Sequence, residues 1–404
     1  MPGDLGADSD VRRDVVLALA TARKRIGQSA EAWQASLAAA ELALADDDPI
    51  GAAEAIVAIS EGSLWSWREY QTVDREAVLL LDRLLTGWPA AQPRLGALLR
   101  ATWAAEVYYA PEHAAAALDA SDQALALIRP MKTTVDVVRV LELRHVALER
   151  PDLMSHRLAT AEELVLLGEA ASDQYALATA LMFRGRDRIE AGQTAAGIDD
   201  YERSRAIATR LGYVPVLVAL AWWDASRLIA AGHFEDAERA IDQAQARHAR
   251  TTLPGAQSIP LLLQAVLAMA RGTLGELADD LLAVSRALGV GLLRDLAATA
   301  LLTAGRGAEA EPLLAEAAAD APAPDYLWLS HQVIRCRMWA AADDRDQLAG
   351  VITTLEPYVG RVVIGGTGIG VLGTVDQALA RARRALGEHA TAGPMPGLDV
   401  TAWA

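Results

Sequence analysis

The one stretch whose spacing meets a chemical template is Gly368-x-Gly370-x-x-Gly373, which follows the apolar run Val362-Val363-Ile364. Glycines at these intervals between a strand and a helix could seat a dinucleotide pyrophosphate on the helix N-terminus. That chemistry also needs a second, parallel strand with an acid about 20 residues on. Here the chain runs into Glu388 and a proline-rich tail, and no other strand pattern is present. The stretch therefore reads as a strand, a glycine-rich turn and a helix from Thr374, a connector rather than a cofactor cradle.

Other chemistry is equally sparse. His113, His145, His156, His233, His248, His331 and His389 form no pair three or four residues apart, the spacing by which one helix face holds a metal. Cys336 is the only cysteine, so no internal disulfide can form, and its position favours a buried structural thiol over a nucleophile. Asp199-Asp200 and Glu162-Glu163 read as solvated helix faces, and catalytic carboxylates could meet only across separate elements. No Gly-rich loop ends in Gly-Lys-Ser/Thr, so no triphosphate site is expected. The residues point to no catalytic set, no cofactor and no metal.

The aromatic residues suggest binding instead. Ten Trp stand against two Phe. Trp65, Trp67, Tyr108, Tyr109, Trp222, Trp223 and Trp328 fall near helices expected to line an inner curve. With Arg144, Arg184, Asp224, Gln264 and Arg335 they form a candidate groove for a protein partner or a helix. The alternative is a receptor whose apolar groove closes on a small-molecule inducer near Trp222 and Trp223. A third possibility is that most of these aromatics simply fill gaps between helices.

The elements that would position them are helices. Val15, Val16, Leu19 and Ile26 recur at helical steps, and segments of this kind follow one another, separated by Gly or Pro, almost to the end of the chain. Small-residue-plus-Gly turns fall at Gly27, Gly192, Gly232, Gly272 and Gly305. The last four are spaced 40, 40 and 33 apart, and a degenerate turn at Asp343-Asp344 follows 38 further on. Glycine there suits a left-handed cap. Seven residues before each turn stand Ala20, Gly185, Ala225, Ala265, Ala298 and Cys336, all small enough for close helix contact. Five after, Ala32, Gly197, Ala237 and Ala310 comply, while Leu277 and Leu348 do not. This register predicts an all-α protein, an α-solenoid of about nine stacked antiparallel hairpins of the tetratricopeptide (TPR) kind. It would occupy 11–386, after a disordered segment 1–10 and before a flexible tail 387–404.

Composition narrows the partners. The chain has 404 residues with 52% hydrophobic side chains, enough to bury a large core. Its 37 basic and 53 acidic residues give −16, which disfavours direct nucleic-acid binding, and Arg381, Arg383 and Arg384 read as a solvated face. The opening Met1-Pro2-Gly3-Asp4-Leu5 carries no apolar run of a secretory signal. The longest uncharged stretch, Thr251 to Ala270, is broken by Pro254 and Pro260 and reads as a loop feeding a buried helix. A cytoplasmic protein without membrane contact is expected.

Several stretches resemble the C-terminal helical-repeat half of large ATP-binding transcriptional regulators of the LuxR type and of antibiotic regulators (SARP-type). They are Arg12 to Leu19 leading into Arg25-Ile26-Gly27, Glu106 to Pro111, Arg144 to Leu148, Ala231 to Glu238, and Leu355 to Arg361 with the Gly-rich segment beyond. The resemblance spans nearly the whole chain. It implies a repeat module that binds a protein or an inducer and regulates attached ATPase and DNA-binding parts. Neither a triphosphate loop nor a terminal helix-turn-helix is found here.

Overall fold

The computed structural model describes residues 15–58, 60, 64 and 68–388. Trp65, Trp67, the segment 1–10 and all of the tail beyond Glu388 lie outside the described residues. Helices make up most of the described residues. The first half holds α1 (15–25), α2 (Ser29–Ala45), α3 (Pro49–Ala58), α4 (Arg75–Leu85), α5 (Pro93–Glu106), α6 (Ala114–Ile128), α7 (Thr134–Ala147), α8 (Met154–Ala171), α9 (Gln174–Glu190) and α10 (Thr194–Leu211). There follow α11 (Val214–Ala230), α12 (Phe234–His248), α13 (Ser258–Arg271), α14 (Ala278–Leu288), α15 (Gly291–Thr303), α16 (Gly307–Ala319), α17 (Trp328–Ala341) and α18 (Arg345–Leu355). The strands β1 (Val362–Ile364) and β2 (Val371–Thr374) then precede α19 (Val375–Ala385).

The turns show why the helices stop where they do. Gly27, Gly192, Gly232, Gly272 and Gly305 all have φ between 74° and 82°, the left-handed region where a side chain would be strained. Asp343 takes the same conformation at 55°, and Asp is among the few residues that tolerate it. After each of the six turns, the next amide donates to the carbonyl five residues back. These bonds run from Gln28, Gln193, His233, Thr273, Arg306 and Asp344 at 2.7–3.1 Å. This bond satisfies a carbonyl that the helix end would otherwise leave bare.

Burial separates two kinds of helix. The odd-numbered ones touch one another in sequence, α3–α5–α7–α9–α11–α13 and again α15–α17–α19, while each even-numbered helix packs mainly on its chain neighbours. Inner helices are accordingly buried nearly all round: α9 buries Leu181, Phe183 and Ile189 together with Arg186, Asp187 and Glu190. Outer ones bury a stripe, as α12 does with Ala237, Ile241 and Ala244. The six small residues before the turns are all buried. Closest approach is at Gly185 and Gly197. A Cβ on Gly197 would stand 2.5 Å from the Gly185 carbonyl oxygen and 2.5 Å from Ile189.

Two expectations need correcting. The glycine-rich stretch is not one strand running into a helix. Val371–Thr374 forms a second strand, antiparallel to the first, with Val362 opposite Thr374 and Ile364 opposite Val371. Thr374 then caps α19 reciprocally with Gln377. The apolar stripe expected on α1 is also only partly buried: Val15, Leu19 and Ile26 are 62%, 46% and 53% exposed, while Val16 packs on the main core and Ala20 against Ala32. Among the described residues no helix is long and apolar enough to cross a membrane.

Candidate functional site

The strand pair packs among the helices and fills the space beside Trp223. β1 packs on α9 and α17, and β2 on α11 and α19, so the hairpin lies between helices nearly two hundred residues apart in sequence. The Ser226 hydroxyl accepts from the Gly370 amide at 2.8 Å, and the Tyr201 hydroxyl donates to the Thr367 carbonyl at 3.0 Å. Gly368, at φ 117°, leaves only 3.0 Å between a Cβ and the Trp223 ring. The glycine spacing that imitates a dinucleotide fingerprint is thus explained by close packing on an indole.

This arrangement places most of the candidate groove residues in the interior or in ion pairs. Trp222 and Trp223 are 1% and 0% exposed, and Trp222 borders only a small cavity of about 40 Å³ against Thr367 and Ile369 of the hairpin. Trp222 donates its indole N–H to His248 Nδ1 at 3.2 Å, and Trp223 meets Tyr201 edge to face. Arg184 forks onto Asp200 of α10 at 2.6 and 2.8 Å, and Asp224 holds Arg205 of the same helix at 2.6 and 3.0 Å. Arg144 reaches Asp122, and Arg335 is buried against Asp295 and the carbonyls of Ala317 and Asp320. Trp328 packs on Tyr358, and Gln264 is exposed. These polar groups tie each helix to its neighbour and do not share one surface.

Beneath the hairpin lies a buried ionic cluster that spacing alone could not reveal. Asp187 of α9 accepts from Arg157 Nε at 2.6 Å and meets His145 Nε2 at 2.9 Å. Arg157 also binds Glu190, which in turn meets Arg361 from the start of the hairpin. Arg186 reaches Glu149 at 3.2 Å. His145, Arg157 and Asp187 are each at most 1% exposed. Burial pushes the Asp187 carboxyl up, but Arg157 and His145 outweigh it and hold its pKa at about 2. Glu149 ends above the usual carboxylate range, because burial there exceeds the pull of Arg186. With no exposed member at its centre, the cluster fastens α7, α8, α9 and the hairpin together.

Tyr108 and Tyr109 are brought to a real cleft. It has a volume of about 380 Å³ and lies between the α5–α6 turn, the end of α7 and the loop before α17. Ala104, Val107 and Ala117 form an apolar wall that belongs to a small hydrophobic cluster. Tyr70, Tyr108, Tyr109 and Tyr326 pack against one another with ring centres 4.9–6.4 Å apart. Tyr108 donates to the Glu149 carbonyl at 2.6 Å and accepts from the Tyr326 amide at 2.8 Å, which orients its ring.

The residue that sequence reasoning missed is Asp325, on the cleft wall and 7% exposed. Its carboxylate accepts from the Tyr70 hydroxyl at 2.7 Å and the Leu327 amide at 2.9 Å. Burial raises its pKa more than these donors lower it. The only local signal was an acid closing the Pro322-Ala323-Pro324 loop just before a helix. No family model matches the chain, and no curated protein matches it in sequence.

Proposed function

We propose that this chain is a TPR-like α-solenoid serving as the sensor module of a transcriptional regulator of the LuxR or SARP type. In this reading it works by binding, without catalysis, in the cytoplasm. The ligand is a small-molecule inducer held in the Tyr108–Tyr109 cleft, and the bound state is passed to attached regulator domains or a protein partner. The observation that carries the reading is the cleft itself. Its 380 Å³ falls within the range of small-molecule sites, its wall is apolar, and its polar groups are few and held in place. The six turns with one capping bond and a buried small residue ahead of each support the repeat architecture.

The inner face favours a small ligand there over a docked helix. The hairpin fills the space beside Trp223, and the loop 323–325 closes one side of a cleft of small-molecule size. A protein partner remains the second reading, favoured by an open groove of about 490 Å³ beside Gln264, where Glu238, Asp242, Arg271 and Glu276 supply both charges.

A thermal-shift screen of a diverse small-molecule library tests the proposal, run beside Ala114→Trp, which places an indole in the cleft. Ligands that bind only the folded state raise the melting temperature. Compounds that stabilise the natural protein and leave Ala114→Trp unmoved are expected. A library that shifts neither protein, or both equally, would overturn the assignment.

A further inference from the structure

The cleft also states what charge its ligand should carry. Asp325 is the one carboxylate on its wall, and among the described residues it has no cationic partner: its donors are a phenol, a backbone amide and the Gln71 side chain. The nearest basic group in the wall, Arg150, is already forked onto Asp152 at 3.1 Å through both nitrogens. His331, whose charge also pulls on Asp325, makes its hydrogen bond to Asp295 at 2.7 Å and none to Asp325. Elsewhere in this protein the buried carboxylates Asp136, Asp187, Asp200 and Asp295 each face an arginine. A buried charge left without a counter-charge is costly, and a bound cation would remove that cost.

The surroundings suit an organic cation rather than a metal ion. One carboxylate, neutral phenols and an apolar wall offer too few hard oxygen ligands for a divalent ion. Tyrosine rings around a carboxylate do match an ammonium head, which is attracted to their faces as well as to the charge. We propose that the cleft binds an organic ammonium compound, a primary amine on an apolar body, with Asp325 pairing the nitrogen and Ala104, Val107 and Tyr109 covering the body. This rests on the sensor reading above and adds the ligand's chemical class.

The test compares three compounds of one shape, 4-phenylbutylamine, 4-phenylbutanol and 4-phenylbutanoate, titrated calorimetrically into the full chain, Asp325→Asn and Ala114→Trp. The amine should bind the natural protein at least tenfold more tightly than the alcohol, and the acid more weakly than either. Asp325→Asn should lose that tenfold preference while retaining the alcohol's affinity, which shows that the variant is folded. Ala114→Trp should lose both. Equal affinity for amine and alcohol, or an amine preference that survives Asp325→Asn, refutes the ammonium site. If the amine fails while uncharged library compounds still bind in a manner lost on Ala114→Trp, the ligand class falls and the sensor reading stands. If nothing binds the cleft, both fall.

Discussion

Replacing Asp187 by Asn removes one charge from the buried cluster and should be among the most damaging single-atom exchanges in the chain. Its carboxyl is held at about pKa 2 against an ordinary 3.8, a difference of nearly two units. At 1.36 kcal/mol per unit this corresponds to about 2–3 kcal/mol of stability at neutral pH. The substitution also strands part of the Arg157 charge, which is 1% exposed and keeps the Glu190 carboxylate and the Arg150 carbonyl. Breaking one side of a buried pair costs about 3–5 kcal/mol. Asp187→Asn is therefore expected to lose about 3 kcal/mol in urea unfolding at pH 7, followed by tryptophan fluorescence. Because the folded pKa is the lower one, the contribution is complete above the unfolded value and fades as pH falls towards 2. About half of it should be gone at pH 3, so the gap between natural protein and variant must narrow by about 1 kcal/mol. A companion cycle with Arg157→Met should show coupling of at least about 1 kcal/mol, since the two side chains share a bond. A loss below 1 kcal/mol at pH 7, or a gap that stays flat between pH 7 and 3, would show that the cluster is solvated and that its role as a fastener is wrong.

Three further outcomes rest on the same packing. Gly197→Ala should destabilise by about 1–3 kcal/mol through its clash with the Gly185 carbonyl, and Gly232→Ala by about 1–2 kcal/mol through left-handed strain alone, since nothing lies within 4 Å of it. Only the first should loosen the α9–α10 contact, read as faster amide exchange in both helices. Burial pushes the Cys336 thiol up to about 12, so a thiol reagent at pH 8 should leave the native protein unlabelled and modify it fully in denaturant; labelling of folded protein within minutes would contradict the packing. Asp325 carries the opposite sign from Asp187: its folded pKa is raised, so its contribution is lost as pH rises above 3.8 and its charge is a cost at pH 7. Asp325→Asn should thus unfold at an equal or higher urea concentration than the natural protein at pH 7, and a loss above 1 kcal/mol would mean that the carboxylate already has a counter-charge.

The helical class was legible in the sequence because its signals are local. A glycine in the left-handed region ends a helix wherever it stands, and a small residue nearly two turns earlier is buried by the helix that returns. Gly192 with Gly185, and Asp343 with Cys336, state this within eight residues. The strand Val362–Ile364 was visible for the same reason, through its run of β-branched side chains. Its partner was not, since Val371–Thr374 is half glycine and threonine and becomes a strand only by pairing.

What the tertiary structure alone decided is which surface stays open. Trp222 and Trp223 look like groove residues in one dimension, yet they are covered by a hairpin some 145 residues downstream, whose glycines let it approach. Asp325 looks like an ordinary loop acid and becomes the unpaired charge of a cleft because Tyr70, Tyr108 and Tyr109 reach it from the other end of the chain. Helix formation depends on bonds between residues three to five apart, which a sequence displays directly. The pairing of a buried charge depends on what the fold brings within about 3 Å, and no spacing along the chain records that distance.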